Sequence, residues 1–399
     1  MARAWVYDRT KDKAYTEAVR KAKAAKRTPP ARWMVRYYDP SGKIKSAGTY
    51  KKKPDAEKRQ TEIENSLHEG SYRDPSAAKV TLGQMAEKWL TTRTDIKRST
   101  WWQYRAVLDN HVLPRWGDQP LSAIHGEDIA VWVARLQKPR DEGGSNLGAS
   151  QTRHAHVVLS MVLGWCVPRR IPYNPAKGVP LPKPSESEHV YLDHVQVEAL
   201  ANAAGGLRTK YGQIASTAPV NRALVLLLAY TGLRFNEAAA LRVGRVDLGR
   251  RRVRVVVAFA EVEGELIEQT PKTGKPRTVP VPPSLVPELR PLLEGRDPDE
   301  LVFTTRRGAP LRIRNWRYRE FGNAVKAAGL AGKGLTPHKL RHTAASLAIA
   351  AGADVKVVQS MLGHATATMT LDRYGHLFPD RLDEVAEAMD VARLAALAT

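Results

Sequence analysis

A proline-rich segment in the middle of the chain places the strongest limit on how it can fold. The segment Pro180-Leu181-Pro182-Lys183-Pro184 is followed by four polar residues, 185–188. Proline fixes φ and removes a backbone hydrogen-bond donor, so an extended, semi-rigid tether is expected there. We therefore predict a linker over residues 176–189 that divides the protein into two lobes. A chain of 399 residues has room for two or three domains.

The first lobe begins with a basic stretch that precedes a short strand pattern. Residues 1–28 are basic and rich in alanine, which is typical of a helix or of a flexible arm. Alternating apolar residues predict two strands, at 32–38 and 43–50, joined by a turn. A helical stripe follows, so we predict a compact sheet-and-helix unit over residues 29–72.

Basic side chains accompany the predicted strands of this unit. We place them on one face of the sheet, and the residues predicted to contact DNA are Arg32, Arg36, Lys43 and Lys45. A β-ribbon with a basic face can enter the major groove of DNA. A common ββα unit that merely carries surface lysines shows the same pattern, and both interpretations stay open here.

Apolar residues at helical spacing predict four helices between residues 80 and 175. Thr81 and Ser99 are suitable caps for the first two helices, and the fourth begins after Ser150. The tryptophans of this region fall mostly at core positions, so we do not interpret them as platforms for stacking bases. Residues 80–175 are therefore predicted to form a separate helical domain.

The charge balance indicates a polyanionic partner. The chain has 63 Lys and Arg residues against 41 Asp and Glu residues, a formal net charge of +22. Nucleic acid is the commonest such partner, although a ribosome-associated or merely soluble basic protein shows the same excess. The single cysteine, Cys166, excludes an intrachain disulfide and a Cys-rich zinc site, and we expect no metal and no cofactor.

Apolar stretches in this sequence are too short for a membrane protein. The longest, residues 223–230, cannot cross a bilayer, and the first 13 residues lack the apolar core of a signal peptide. We therefore expect a cytoplasmic protein that acts on DNA.

The second lobe, residues 190–399, combines helices with short strands. Strands are predicted at 252–259, 265–269 and 277–281, and the last two are joined by a hairpin loop that carries Lys272. Helices are predicted at 221–230, 284–293, 313–328, 337–350, 354–362 and 382–397. The whole pattern predicts a mainly α protein with small β-sheets, of the α+β class, whose second lobe is mixed α/β.

Five short motifs in the second lobe hold the residue types that cleavage of a phosphodiester requires. Arginines can grip non-bridging phosphate oxygens, a tyrosine can attack phosphorus, and a lysine can protonate the leaving 5′-oxygen. Imidazoles can shuttle protons or hydrogen-bond the phosphate. Each residue alone is weak evidence, but the set in this order would rarely arise by coincidence. The candidate catalytic residues are Arg234, Lys272, His338, Arg341, His364 and the nucleophile Tyr374.

These motifs resemble those of the tyrosine recombinases, also called phage integrases. The resemblance rests on Thr231-Gly232-Leu233-Arg234-Phe235-Asn236-Glu237, Lys272, His338-Lys339-Leu340-Arg341-His342, Leu362-Gly363-His364 and Tyr374. It assigns the family's catalytic positions to the six candidates above, with Lys275 as the alternative lysine. Residues 80–172 also resemble the family's core-type DNA-binding domain, and residues 30–70 resemble the arm-type domain of integrases from phages and integrative elements.

The resemblance implies a mechanism. Four protomers would synapse two double-stranded DNA sites and exchange strands through a covalent 3′-phosphotyrosine and a Holliday junction, without metal or ATP. DNA-bending or directionality proteins are candidate accessory partners in a bacterial host. The helix at 382–397 carries an apolar stripe and is expected to act between protomers, with packing on its own domain as the alternative.

Three other functions share some of these features. A type IB topoisomerase has the same chemistry, but two N-terminal DNA-binding units argue against it. A DNA-binding regulator that does not cut would not need the complete catalytic set. A transposase-like enzyme that joins varied targets fits the same residues and stays open.

Overall fold

Helices predominate in the described part of the chain, and three small antiparallel sheets accompany them, which confirms the predicted α+β class. The computed structural model describes residues 4–39, 42–68, 77–184, 190–209, 211–271, 274–379 and 382–398. The chain divides into two compact units, Met1–Ser185 and Glu186–Thr399, and this boundary falls within the predicted linker. Within the described ranges, no helix has the length and apolar character needed to cross a membrane.

Three strands form the N-terminal sheet of the first unit. They are β1 (Ala4–Asp8), β2 (Trp33–Tyr38) and β3 (Ile44–Tyr50), with β2 in the middle, and helices α1 (Lys13–Ala24) and α2 (Lys53–His68) accompany them. The sequence predicts only two strands, because β1 lies inside residues 1–28, for which it predicts a helix or an arm. A strand of five residues has little pattern of its own, and pairing with β2 determines its conformation.

The strand register corrects the predicted basic face. The paired residues are Tyr38 with Ile44, Tyr37 with Lys45 and Arg36 with Ser46. Side chains directly opposite one another in an antiparallel pair share a face, so Lys45 lies on the side of buried Tyr37. By alternation, Arg32 and Arg36 fall on one face and Lys43 and Lys45 on the other. The prediction of one shared face is wrong because turn length sets this register, and strand periodicity does not reveal it.

A bundle of helices makes up the rest of the first unit. Its helices are α3 (Leu82–Thr91), α4 (Arg98–Val107), α5 (Leu113–Trp116), α6 (Gly126–Gln137) and α7 (Ala149–Trp165). A π-helical segment, Leu108–Val112, joins α4 to α5, so the predicted second helix is longer than expected. Thr81 caps α3 as predicted, through a reciprocal pair of hydrogen bonds with Gln84. Trp89 and Trp116 are buried in the core, as is the thiol of Cys166.

The second unit packs around α9, whose apolar side chains are almost all buried. The helices are α8 (His194–Gly205), α9 (Ala218–Thr231), α10 (Phe235–Ala239), α11 (Val286–Leu289), α12 (Ile313–Trp316), α13 (Gly322–Ala327), α14 (Pro337–Ala350), α15 (Val355–Leu362), α16 (Ala367–Tyr374) and α17 (Leu382–Leu397). The strands are β4 (Val246–Asp247), β5 (Arg252–Val255), β6 (Ala258–Val262), β7 (Glu265–Gln269) and β8 (Arg277–Pro280). The helices predicted at 337–350, 354–362 and 382–397 are confirmed within a residue.

Strand pairing in this unit corrects the predicted hairpin. β7 pairs with β6 across a turn at Gly264, whereas β8 pairs with β5 in a different sheet. The loop that carries Lys272 therefore connects two sheets and does not close a hairpin between β7 and β8. The error arises because residues 252–259 read as one strand, although the chain leaves the first sheet after Val255 and starts the second at Ala258. Lys272 itself lies outside the described residues.

Candidate active site

Five of the six predicted catalytic residues line one cleft in the second unit. The cleft has a volume of about 690 Å³, and the five residues are Arg234, His338, Arg341, His364 and Tyr374. They are separated by up to 140 positions in the sequence (374 − 234), so the fold brings them together. Where Lys272 lies relative to the cleft stays a prediction.

Helix ends position most of these side chains. Arg234 precedes α10 as its N-terminal cap residue, and Tyr374 is the last residue of α16. Gly232 ends α9 in the left-handed region at φ 66°, and a Cβ built there would meet Leu362 Cδ2 at 2.7 Å. Glycine is therefore required both by the backbone angle and by this close approach. Gly363, at φ 65°, ends α15 in the same way and directs His364 into the cleft.

Arg341 is fixed inside the cleft by backbone carbonyls. The guanidinium is buried and donates to the carbonyl oxygen of Gly232 at 2.6 Å and to that of Leu362 at 2.5 Å. Burial and the nearby Arg234 lower the pKa of Arg341 to about 9, so its side chain is still a cation at neutral pH. The two glycine-terminated helices thus hold a positive charge at a defined point of the cleft.

Glu237 joins two arginines beneath the cleft. Its buried carboxylate accepts from Arg277 Nη2 at 2.6 Å and from Arg234 Nη1 at 3.0 Å, and it also accepts from the Arg234 backbone N–H at 2.9 Å. Burial alone would raise the pKa of Glu237, but the hydrogen bonds and charges of Arg277 and Arg234 lower it overall. Glu237 is therefore an anion that fixes the direction of Arg234.

The hydroxyl of Tyr374 is held by a histidine. Tyr374 is 1% exposed, and its Oη lies 2.7 Å from Nδ1 of His342. Burial raises the pKa of Tyr374 to about 12, although the charges of Arg341 and Arg373 act in the opposite direction. The phenol is consequently neutral at physiological pH and must lose its proton when it acts as a nucleophile.

The ring of His364 lies parallel to the ring of Tyr374 and is offset from it. The two rings are nearly parallel, with an interplanar angle of 6° and centroids 6.4 Å apart, and His364 Nδ1 lies 2.9 Å from the Thr370 hydroxyl. Burial, followed by the charges of Arg341 and Arg234, lowers the pKa of His364 to about 4. The imidazole is therefore neutral near pH 7 and can donate or accept a hydrogen bond at the cleft.

Sequence reasoning missed three residues of this site. His342 and Glu237 belong to motifs that carry the family resemblance, yet neither is among the six predicted catalytic residues. His342 follows His338 by one helical turn, and this spacing could have identified it. Arg277 has no comparable local signal, because its partner Glu237 is 40 positions away.

Comparison with known proteins agrees with this fold. A sequence model described as "Phage integrase family" matches residues 191–381, and one described as "Phage integrase, N-terminal SAM-like domain" matches residues 81–137. The prophage phiRv2 integrase of Mycobacterium tuberculosis is 29% identical over 374 residues, which cover 89% of this chain and 91% of that protein. Tyrosine recombinase XerC 2 of Ralstonia nicotianae is 36% identical over 234 residues, 56% of this chain and 59% of that protein.

Solved structures with the same fold include two integrases bound to DNA. A Tn1549 transposon integrase with transposon right end DNA has a TM-score of 0.62 and 22% identity, over 79% of this chain and 100% of that chain. A lambda integrase tetramer bound to a Holliday junction has a TM-score of 0.55 and 22% identity. The match covers 88% of this chain and 93% of that chain. The fold and the matching family models define an enzyme that breaks and rejoins DNA strands. The chain belongs to the phage integrase family of tyrosine recombinases.

Proposed function

We propose that this recombinase integrates or excises a phage genome or another mobile element at defined DNA sites. The observation that carries the proposal is the cleft in which three arginines, three histidines and a buried tyrosine converge. The intermediate is a covalent 3′-phosphotyrosine on Tyr374, and strand exchange passes through a Holliday junction. No metal or nucleotide is required, because the phosphotyrosine conserves the energy of the broken bond.

Arg234 and Arg341 bind the scissile phosphate in this proposal. Guanidiniums can donate two parallel hydrogen bonds to non-bridging oxygens and neutralise the charge of the pentacoordinate transition state. Both arginines are oriented before DNA arrives, Arg341 by two carbonyls and Arg234 by Glu237. Lys272 protonates the leaving 5′-oxygen, while His338 and His364 bind the phosphate or move protons.

The first unit recognises parts of the DNA site that lie away from the cleaved phosphodiester bond. Residues 29–72 form the arm-type domain and residues 80–175 the core-type domain, with the linker at 176–189 before the catalytic domain at 190–399. The sheet of the arm-type domain also includes β1, from the basic segment 1–28. On the face away from α2, the guanidinium of Arg36 lies 4.1 Å from the ring centre of Tyr7, which orients it for a contact with DNA.

The active assembly is a homotetramer on two double-stranded DNA sites. Helix α17 is exposed along its described length, and its apolar residues include Met389 at 68% and Leu394 at 56% exposure. An apolar stripe of this kind needs a partner, and a neighbouring protomer on DNA supplies one. We also expect DNA-bending or directionality proteins as partners, and a cytoplasmic location with the host nucleoid.

The proposal is tested by trapping the covalent intermediate. A nicked suicide duplex containing the element's attachment site is incubated with the wild-type protein and with Tyr374→Phe. The wild type is expected to form a covalent adduct on the 3′-phosphate side, whereas the variant binds the same DNA and forms none, because only the hydroxyl is removed. A wild-type level of adduct with the variant contradicts the assignment. Adduct formation on any duplex, together with relaxation of plasmids that lack the site, would indicate a topoisomerase instead.

A further inference from the structure

The hydrogen bond between His342 and Tyr374 suggests a function for a residue outside the six predicted catalytic positions. His342 lies on α14 one turn after His338, and both rings line the cleft, 5.1 Å apart in an edge-to-face arrangement. The distance of 2.7 Å from His342 Nδ1 to Tyr374 Oη is within the range over which a base takes a proton from a nucleophile. His364 lies beside the ring of Tyr374 but uses its own Nδ1 for Thr370, at 2.9 Å.

We propose that His342 is a catalytic residue, the base that removes the proton from Tyr374 during strand cleavage. The proposal rests on the function proposed above, since it assigns a step of that reaction. As the bond between Oη and phosphorus forms, the phenolic proton passes to Nδ1 of His342. The bond between phosphorus and the 5′-oxygen breaks, and that oxygen takes a proton from the general acid assigned to Lys272. On rejoining, the 5′-hydroxyl returns its proton to that general acid as its oxygen attacks phosphorus, and the imidazolium gives its proton to the departing phenolate.

The surroundings of Tyr374 explain why a base is needed. The phenol is buried, so water has little access to its proton. The pKa of about 12 leaves almost no phenolate at neutral pH, and nearby guanidiniums only partly offset the effect of burial. In the tautomer that carries its proton on Nε2, His342 presents the lone pair of Nδ1 to the hydroxyl. The imidazolium formed by this proton transfer would lie beside the tyrosine oxygen while that oxygen bonds to phosphorus.

Asparagine is the most informative replacement for His342. The amide of His342→Asn reaches the position of Nδ1 and can keep a hydrogen bond to Tyr374, but it cannot accept a proton. The matched control is His194→Asn. His194 Nδ1 lies 2.9 Å from the hydroxyl of Tyr230 in the same unit, and neither residue lines the cleft.

Single-turnover cleavage of the suicide duplex is measured for each variant, with DNA affinity and the thermal midpoint of unfolding as controls. We expect His342→Asn to cleave about 10²-fold more slowly or worse, and the control to stay within about twofold of wild type. If His342→Asn does not fold, His342→Ala is assayed with and without imidazole in solution, and imidazole is expected to restore part of the lost rate.

A fluorinated tyrosine at position 374 distinguishes a base from a structural contact. Fluorine makes the phenol more acidic, so the deficit of His342→Asn is expected to shrink with this nucleophile. Cleavage by His342→Asn at the wild-type rate or faster overturns the proposal, as does a deficit in rate of equal size with both nucleophiles.

If the wild-type protein forms no covalent adduct at all, the proposed function itself is contradicted, and the role of His342 falls with it. A normal wild-type adduct with an unaffected His342→Asn removes only the role of His342.

Discussion

At the residue scale, the candidate site is organised by charges that are buried together. Glu237 contacts Arg234 and Arg277, and the guanidinium of Arg277 also donates to the carbonyl oxygen of Met361 at 3.1 Å. This network connects the start of α10, the start of β8 and the end of α15. Arg277 should therefore support the cleft without contacting DNA itself.

Replacing Arg277 by methionine tests this network. The ion pair between Arg277 and Glu237 has side-chain exposures of 8% and 1%, and removing one partner of a buried pair typically lowers the free energy of unfolding by about 3–5 kcal/mol. We expect Arg277→Met to lower the thermal midpoint and to slow cleavage, because Arg234 loses its fixed direction. Arg290→Met is the control, since its pair with Glu294 is exposed and should contribute less than about 1 kcal/mol. Equal midpoints for the two variants would contradict the role of Arg277.

The low pKa of His364 predicts a dependence of stability on pH. Its pKa is about 4 in the folded protein, and the unfolded chain titrates near 6.5. Between these values the unfolded state binds a proton that the folded state does not, so the free energy of unfolding rises with pH across this window. The free energy of unfolding increases by at most about 3 kcal/mol across this window, and the increase is complete above pH 6.5. Chemical denaturation at pH values from 4 to 7 measures this slope. His364→Gln should reduce it, and an unchanged slope would contradict the assignment.

The sequence motifs predict the residues that line the cleft. They do not predict Glu237 and His342, which hydrogen-bond with those residues, or Arg277, which pairs with Glu237. Arg234, His338, Arg341, His364 and Tyr374 were selected by their types and order, and the fold brings all five into one cleft. The bond from His342 to Tyr374 joins residues 32 positions apart, and a one-dimensional pattern contains no information on such a distance.

At the element scale, α17 differs from the other long helices of the second unit because its described side chains are all exposed. It begins eight residues after Tyr374 (382 − 374), so its position can be coupled to that of the nucleophile. The alternative in which α17 packs on its own domain is disfavoured by this exposure.

Aspartate at two apolar positions of α17 tests its role in assembly. We expect Met389→Asp combined with Leu394→Asp to leave the thermal midpoint unchanged, because both side chains are already exposed. The number of tetramers formed on paired DNA sites should fall several-fold, since a charge would be buried in the contact. Glu387→Gln, on the same helix, is the matched control. Tetramer formation at the wild-type level by the double variant would show that α17 is not an assembly element.

Sequence patterns located the long helices well and the short strands poorly. Helical periodicity over eight or more residues identified α14, α15 and α17 almost to the residue. In contrast, β1 and the true partner of β8 depend on contacts with distant strands. Short strands obtain their stability from such partners, so local sequence specifies them weakly.

At the scale of the whole molecule, we propose that the first unit recognises DNA sites and that the second carries out the cleavage chemistry. A fragment of residues 1–72 should fold and bind a distal DNA sequence, whereas a fragment of residues 29–72 should not fold, because β2 loses its partner β1. A fragment from residue 176 onward should bind the core site weakly. Circular dichroism and footprinting measure these outcomes. If the fragments 1–72 and 176–399 protect the same sequence, the two-site layout is wrong.

The burial of Arg341 also affects how this protein could be engineered. Its guanidinium is held by two carbonyls and repelled by a second arginine, and in the proposed function it contacts a phosphate that arrives only with DNA. Until then, burial and the charge of Arg234 disfavour the charged form of Arg341, whereas its hydrogen bonds to the two carbonyl oxygens favour keeping the side chain. A screen for heat resistance alone therefore does not report on the proposed phosphate contact of Arg341, and only a screen that includes DNA cleavage would do so.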